Sequence, residues 1–213
     1  MSERVENKET QPVGPESPEA FLQVVVAPAF NRQIEDLRRQ LGALERELEE
    51  RTGVEAAIAL HVVGEAGGVW YLNVRNGRME VGTTPSVPVV FSVYQSTADW
   101  VVLAAEGQGT PMTGAAGRRG ALTRSRIARL RSISGTARLV LRGESDASAR
   151  NITLHFGPND PAEPPQVTLA MREEDARRLR EGTLEPQAAF FQGLVTISGD
   201  VGLAMQIGTA LFM

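Results

Sequence analysis

Apolar residues recur along the chain at two spacings, and each switch between them marks an element. From Ser17-Pro18 the pattern is helical, with Ser17 placed as N-cap and Pro18 at the first helical position. Pro28 offers no amide hydrogen and is expected to kink or restart the helix. Beyond it, Phe30, Ile34, Leu37, Leu41, Leu44 and Leu48 follow at spacings of 4, 3, 4, 3 and 4. This is a narrow heptad seam flanked by Arg and Glu, and Gly53 closes it. Two partners fit such a seam: the protein's own sheet, or the same helix of a second copy.

Strand patterns then take over. Residues 56–63 and 69–74 read as strands joined by a glycine-rich turn at 64–68, and the alternation at 89–93 gives a third. Residues 98–106 read as a short helix stopped by Gly107, and a glycine-rich loop leads to a basic helix at 122–133. A second set of strands follows at 137–141, 151–156 and 167–171. The chain then predicts a helix over 173–181 ending at Gly182, a helical turn over 186–192, a strand over 194–198 and a final helix over 201–211.

The strand order occurs twice. Residues 56–60 answer 137–141, and 89–93 answer 167–171. Gly107 and Pro111 stand 75 residues before Gly182 and Pro186. An ordered series of matches predicts an internal duplication, whose first copy lacks a counterpart to the strand at 194–198.

Composition sharpens this picture at one place. The chain is 23% charged, yet residues 186–213 carry a single charged side chain, Asp200. Gly193, Gly199, Gly202 and Gly208 interrupt the run too often for a membrane span of about twenty residues. The segment therefore needs an apolar partner. Val195 and Ile197 share one strand face, and Asp200 is placed to cap the last helix. On that helix Leu203, Ile207 and Leu211 form one stripe, and Val201, Met205, Gly208 and Phe212 another. A helix apolar on two sides asks to be enclosed by more than one sheet. A twelve-carbon chain buried there would contribute about 10 kcal/mol before ordering costs, at about 0.8 kcal/mol per methylene.

The motifs of this region resemble the sterol carrier protein type-two family. They are Gly182-x-Leu184-x-Pro186-Gln187, Ala189-Phe190-Phe191-Gln192-Gly193 and Ile197-x-Gly199-Asp200-x-Gly202-Leu203-Ala204-Met205, within residues 167–207. In the first copy only the strands, Ala98-Asp99-Trp100 and Gly107 follow the same pattern. The resemblance implies an α+β fold, in which helices cover one face of a mainly antiparallel sheet and enclose an apolar tunnel for a sterol, fatty acid, acyl-CoA or phospholipid. It also implies a non-catalytic carrier, or a module that presents a lipid to an enzyme. On that reading Met171, Leu179, Phe190, Phe191, Met205, Ile207 and Leu211 line the lipid site, with Trp100 serving the first copy. A structural protein with a filled core, assembling through the 30–48 helix, is the alternative.

Catalytic chemistry finds little footing. His61 and His155 sit within strands among apolar positions and read as structural. Glu173, Glu174 and Asp175 open a helix, where its dipole favours acids. HExxH, Walker A and Gly-x-Ser-x-Gly elements are absent, and no cofactor is expected. Arg118, Arg119, Arg124, Arg126, Arg129 and Arg131 form one cationic cluster. It is either a solvated helix face or a docking surface for anionic lipid headgroups or an acidic partner; no aromatic platform accompanies it, which disfavours nucleic acid. A formal charge of -4 gives no bulk preference for nucleic acid, and the lack of cysteine leaves the redox compartment open. The polar N-terminus has no signal-peptide core, so a cytoplasmic location is the default expectation. The expected divisions are a disordered tail at 1–17, a helical segment at 18–53, and two sterol-carrier-like repeats at 54–134 and 135–213.

Overall fold

The computed structural model describes residues 18–105, 122–143 and 149–212. The cap expected at Ser17 and the glycine-rich loop lie outside them. The chain divides into two compact units, residues 1–48 and 49–213.

The first unit is helical throughout its described residues. α1 (Pro18–Phe21) runs through a π-helical turn, Leu22–Val26, into α2 (Ala27–Thr52), which crosses the unit boundary. The wide turn is the local answer to Pro28, which cannot donate to Val24 and whose ring would crowd that carbonyl. Instead the Ala27 amide donates to the Leu22 carbonyl, five residues back. Phe30, Leu37, Leu41, Leu44 and Leu48 are each between 55% and 62% exposed.

The second unit is built on β1 (Ala56–Val63), β2 (Gly68–Arg75), β3 (Arg78–Gly82), β4 (Val89–Ser96), β5 (Gly135–Arg142), β6 (Arg150–Phe156), β7 (Val167–Arg172) and β8 (Val195–Gly199). They form one mixed sheet in the order β3-β2-β1-β4-β6-β5-β7-β8. The helices are α3 (Thr97–Ala105), α4 (Arg124–Arg131), α5 (Glu173–Glu181), α6 (Pro186–Phe191) and α7 (Val201–Phe212). The β2–β3 hairpin was not expected from strand patterning. Its signal is Asn76-Gly77, whose φ angles of 52° and 72° supply the left-handed turn that a two-residue hairpin requires.

The two strand sets share one local topology. β1 pairs antiparallel with β2 on one side and parallel with β4 on the other. β5 does the same with β6 and β7. A helix follows the parallel strand in each case, α3 after β4 and α5 after β7. The outer neighbour of β7 is β8, antiparallel; the corresponding place beside β4 is taken by β6, also antiparallel. That shared strand joins both sets into one sheet.

Strand alternation turns Ile58, Leu60, Phe91, Val93, Ile152, Leu154, Ala137, Leu141 and Val167 to one face, where they form the buried core. Ile127 and Leu130 of α4 and Leu203, Ile207 and Ala210 of α7 cover them. The opposite face carries both histidines. His155 is buried, its Nδ1 2.9 Å from Thr136 Oγ1, which also accepts the Ala162 amide at 2.8 Å. His61 stacks on Tyr94 with ring centroids 4.2 Å apart and an interplanar angle of 16°.

Burial pushes the His61 imidazole below its ordinary value of 6.5. The unfolded chain therefore binds this proton more readily than the folded one, so folding stability is full above that value and is lost as pH falls through it. Urea midpoints measured between pH 7.5 and 5 are expected to drop. In His61→Phe that part of the slope should disappear.

Candidate functional site

The apolar C-terminal segment ends in α7, which covers part of the buried face of the sheet. Its start is fixed locally. Gly199 has φ +97°, and a Cβ there would lie 2.2 Å from the Gln166 carbonyl oxygen, so the corner admits only glycine. The next residue, Asp200, donates its amide to that same oxygen at 2.9 Å. Its carboxylate accepts the Leu203 amide at 2.9 Å, the N-cap read from the sequence. A left-handed glycine followed by a capping acid thus aims the helix back across the sheet. Gly135 permits its close approach: a Cβ there would stand 2.8 Å from Leu203 Cδ2.

The expected lining residues divide into two groups. Ile207 is 2% exposed and belongs to the core, and Trp100, Met171 and Leu211 pack partly buried against it. Leu179 is half-buried on α5. Phe190, Phe191 and Met205 are 46%, 84% and 54% exposed. The physical reason is angular. α7 turns its Leu203–Ile207 stripe to the sheet, which leaves the Val201–Met205 stripe outward. The short α6 buries Ala189, and its adjacent Phe190 and Phe191 meet edge-on at 5.9 Å outside the core. The enclosure expected for both stripes of α7 is thus present for one among the described residues.

The cationic cluster is partly consumed within the unit. Arg118 and Arg119 lie outside the described residues. Arg126, expected at the surface, is a correction: it is 7% exposed, because it lies on the side of α4 that buries Ile127 and Leu130. Desolvation, then the neighbouring Arg129, lowers its pKa. Arg124 lies 3.5 Å from Glu49 and 3.6 Å from Glu50, and Arg131 donates to the Glu55 carbonyl at 2.7 Å. Arg129 stands exposed.

Sequence reading passed over one further residue. Phe91, Val93 and Gln95 alternate onto the same face of β4, and Gln95 is 4% exposed. Its signal was available, since a glutamine at an inward position of an apolar strand is unusual. On the neighbouring strand β6, Arg150 is ion-paired with Glu173 at the start of α5.

Among the described residues no helix is long and apolar enough to cross a membrane. The model of the SCP-2 sterol transfer family matches residues 118–212. No curated protein matches the chain. Solved structures similar to parts of it include sterol carrier protein 2 like 2 from Aedes aegypti, at 20% identity over 51% of this chain and 88% of that one, TM-score 0.30. Sterol carrier protein domain 2 of Helicoverpa armigera aligns at 24% identity over 40% and 72%, TM-score 0.30. Sterol carrier protein 2 from Yarrowia lipolytica in its apo form aligns at 14% over 47% and 83%, TM-score 0.32. The family match begins in the residues before α4 and runs to the end of α7, so the resemblance carried by residues 167–207 is shown: residues 118–212 of this chain match the SCP-2 sterol transfer family.

Proposed function

We propose that the protein is a non-catalytic lipid carrier, which holds one apolar chain between the sheet and the helices of residues 118–212. The family match supports this, and the observation that carries it is the apolar segment folded as α6, β8 and α7 along one end of the sheet. Trp100, Met171, Leu179, Ile207 and Leu211 are the groups a lipid would lie against. Phe190, Phe191 and Met205, exposed on α6 and α7, are those it would meet on entry. The two strand sets are an eroded duplication in which β6 takes, beside β4, the place that β8 has beside β7. The second set supplies most of the lining, with Trp100 contributed by the first, because the phenylalanine pair and the Gly199-Asp200 corner occur in the second.

Both tryptophans, Trp70 and Trp100, pack partly buried against the core. Titration with a fluorescent twelve-carbon acyl probe is therefore expected to quench them saturably with micromolar affinity, and Trp100→Phe should remove most of the quenching. Linear, unsaturable quenching would contradict the carrier reading.

The exposed seam of α2 favours pairing with a second copy. Ile34, Leu41 and Leu48 fall at one core position of the heptad, and Phe30, Leu37 and Leu44 at the other. A parallel pair sets Gln33 beside Arg38 of the second copy and Gln40 beside Glu45, with no like charges facing. An antiparallel pair brings Arg38 against Arg38.

A further inference from the structure

β4 carries a chemical anomaly at its C-terminal end. Gln95 faces the helix-covered side of the sheet and is 4% exposed. Strand register sets it beside Val62 of β1 and, one step beyond the Tyr94–Thr153 pair, beside Ile152 of β6. Val93 precedes it on the same face, and all three neighbours are buried apolar groups of the core. Both Oε1 and Nε2 are enclosed, and neither has a hydrogen-bond partner among the described residues. A carboxamide cannot relieve its burial by gaining or losing a proton, so it must find a partner or remain unfavourable.

The same end of the sheet contains what an amphiphile would need. Trp100 on α3 and Met171 on β7 pack partly buried against the same core. Arg150, two residues before Ile152 on β6, is engaged by Glu173. That guanidinium is thus already neutralised and does not call for an anion. A carboxamide offers a donor and an acceptor together. A hydroxyl offers the same pair and satisfies both atoms, whereas a carboxylate only accepts and would leave Oε1 unpaired.

Resting on the carrier reading, we infer that Gln95 receives the polar end of the bound lipid and that this end is a hydroxyl rather than a carboxylate. The residue lies outside the family-matched stretch of 118–212, so the first strand set contributes the polar contact for a chain held by the second. Gln95 sets specificity without supplying the bulk of the binding.

The test is competition for the fluorescent acyl probe by dodecanol and by dodecanoate at pH 8, on the full chain. The expected result is displacement by dodecanol at about one-tenth the concentration that dodecanoate requires. In Gln95→Leu, and in Gln95→Met as a second variant should the first fold poorly, that preference should vanish, so that both competitors displace the probe at similar concentrations. The melting temperature of the unliganded variant should equal or exceed that of the parent, because an unpaired buried amide has been removed. Equal displacement by both competitors, or a preference that survives both substitutions, would overturn the assignment to Gln95. A melting temperature lowered by both substitutions with an unchanged preference would also overturn it, by making the residue structural. Failure of the parent protein to take up the probe would instead remove the carrier reading, and this inference with it.

Discussion

Gly199→Ala is expected to lower the melting temperature by about 10 °C. The added Cβ would sit 2.2 Å from the Gln166 carbonyl oxygen and 3.2 Å from Val167 Cα, both backbone atoms that the β7–β8 ladder holds in place. The φ of +97° is itself unfavourable for alanine. Strain and overpacking together cost about 3–5 kcal/mol, and a chain of this size loses about 2–4 °C per kcal/mol. Relief would require moving the corner that aims α7, so probe uptake should fall along with stability. Gly193→Ala is the control. Its φ of +68° is also left-handed, but a Cβ there would meet nothing within 4 Å, so only the conformational cost applies. Calorimetry on the two variants separates the close approach from the backbone angle.

Leu41→Lys is expected to convert a dimer to a monomer, without moving the melting transition of residues 49–213. Leu41 sits near the middle of the seam and is 57% exposed, so the charge finds water in a single copy. In a pair it would lie opposite its own counterpart at the centre of the interface, where two ammonium groups repel and each lacks solvent. Analytical ultracentrifugation on the parent and the variant reads this directly. A parent that sediments as a monomer, or a variant that stays dimeric, would contradict pairing through α2.

The strands were legible because alternation is a local signal. β1 was read at its observed limits, and the helix at 173–181 ends where Gly182 adopts φ 73°. Order along the chain also showed that one strand pattern repeats. It could not show how the two sets meet, because the β4–β6 contact joins residues about sixty positions apart and leaves no mark in either strand. β3 was passed over although Asn76-Gly77 announced its turn, since Arg78 and Glu80 dilute its apolar residues. At the site, apolar stripes identified which side chains seek cover but not which stripe receives it. Ile207 and Met205, two positions apart on α7, ended on opposite sides for this reason. Arg126 shows the converse: its charge suggested solvent, but its place beside Ile127 on the inward side of α4 decided otherwise.

Native mass spectrometry of the protein purified without detergent tests the carrier reading most directly. The expected spectrum contains the apo mass together with a discrete adduct of one lipid per chain, which is released on collisional activation and lost when α7 is destabilised through Gly199→Ala. A spectrum of apo protein alone, unchanged after incubation with long-chain alcohols and acids, would mean that the core is filled by its own side chains and that no lipid is carried.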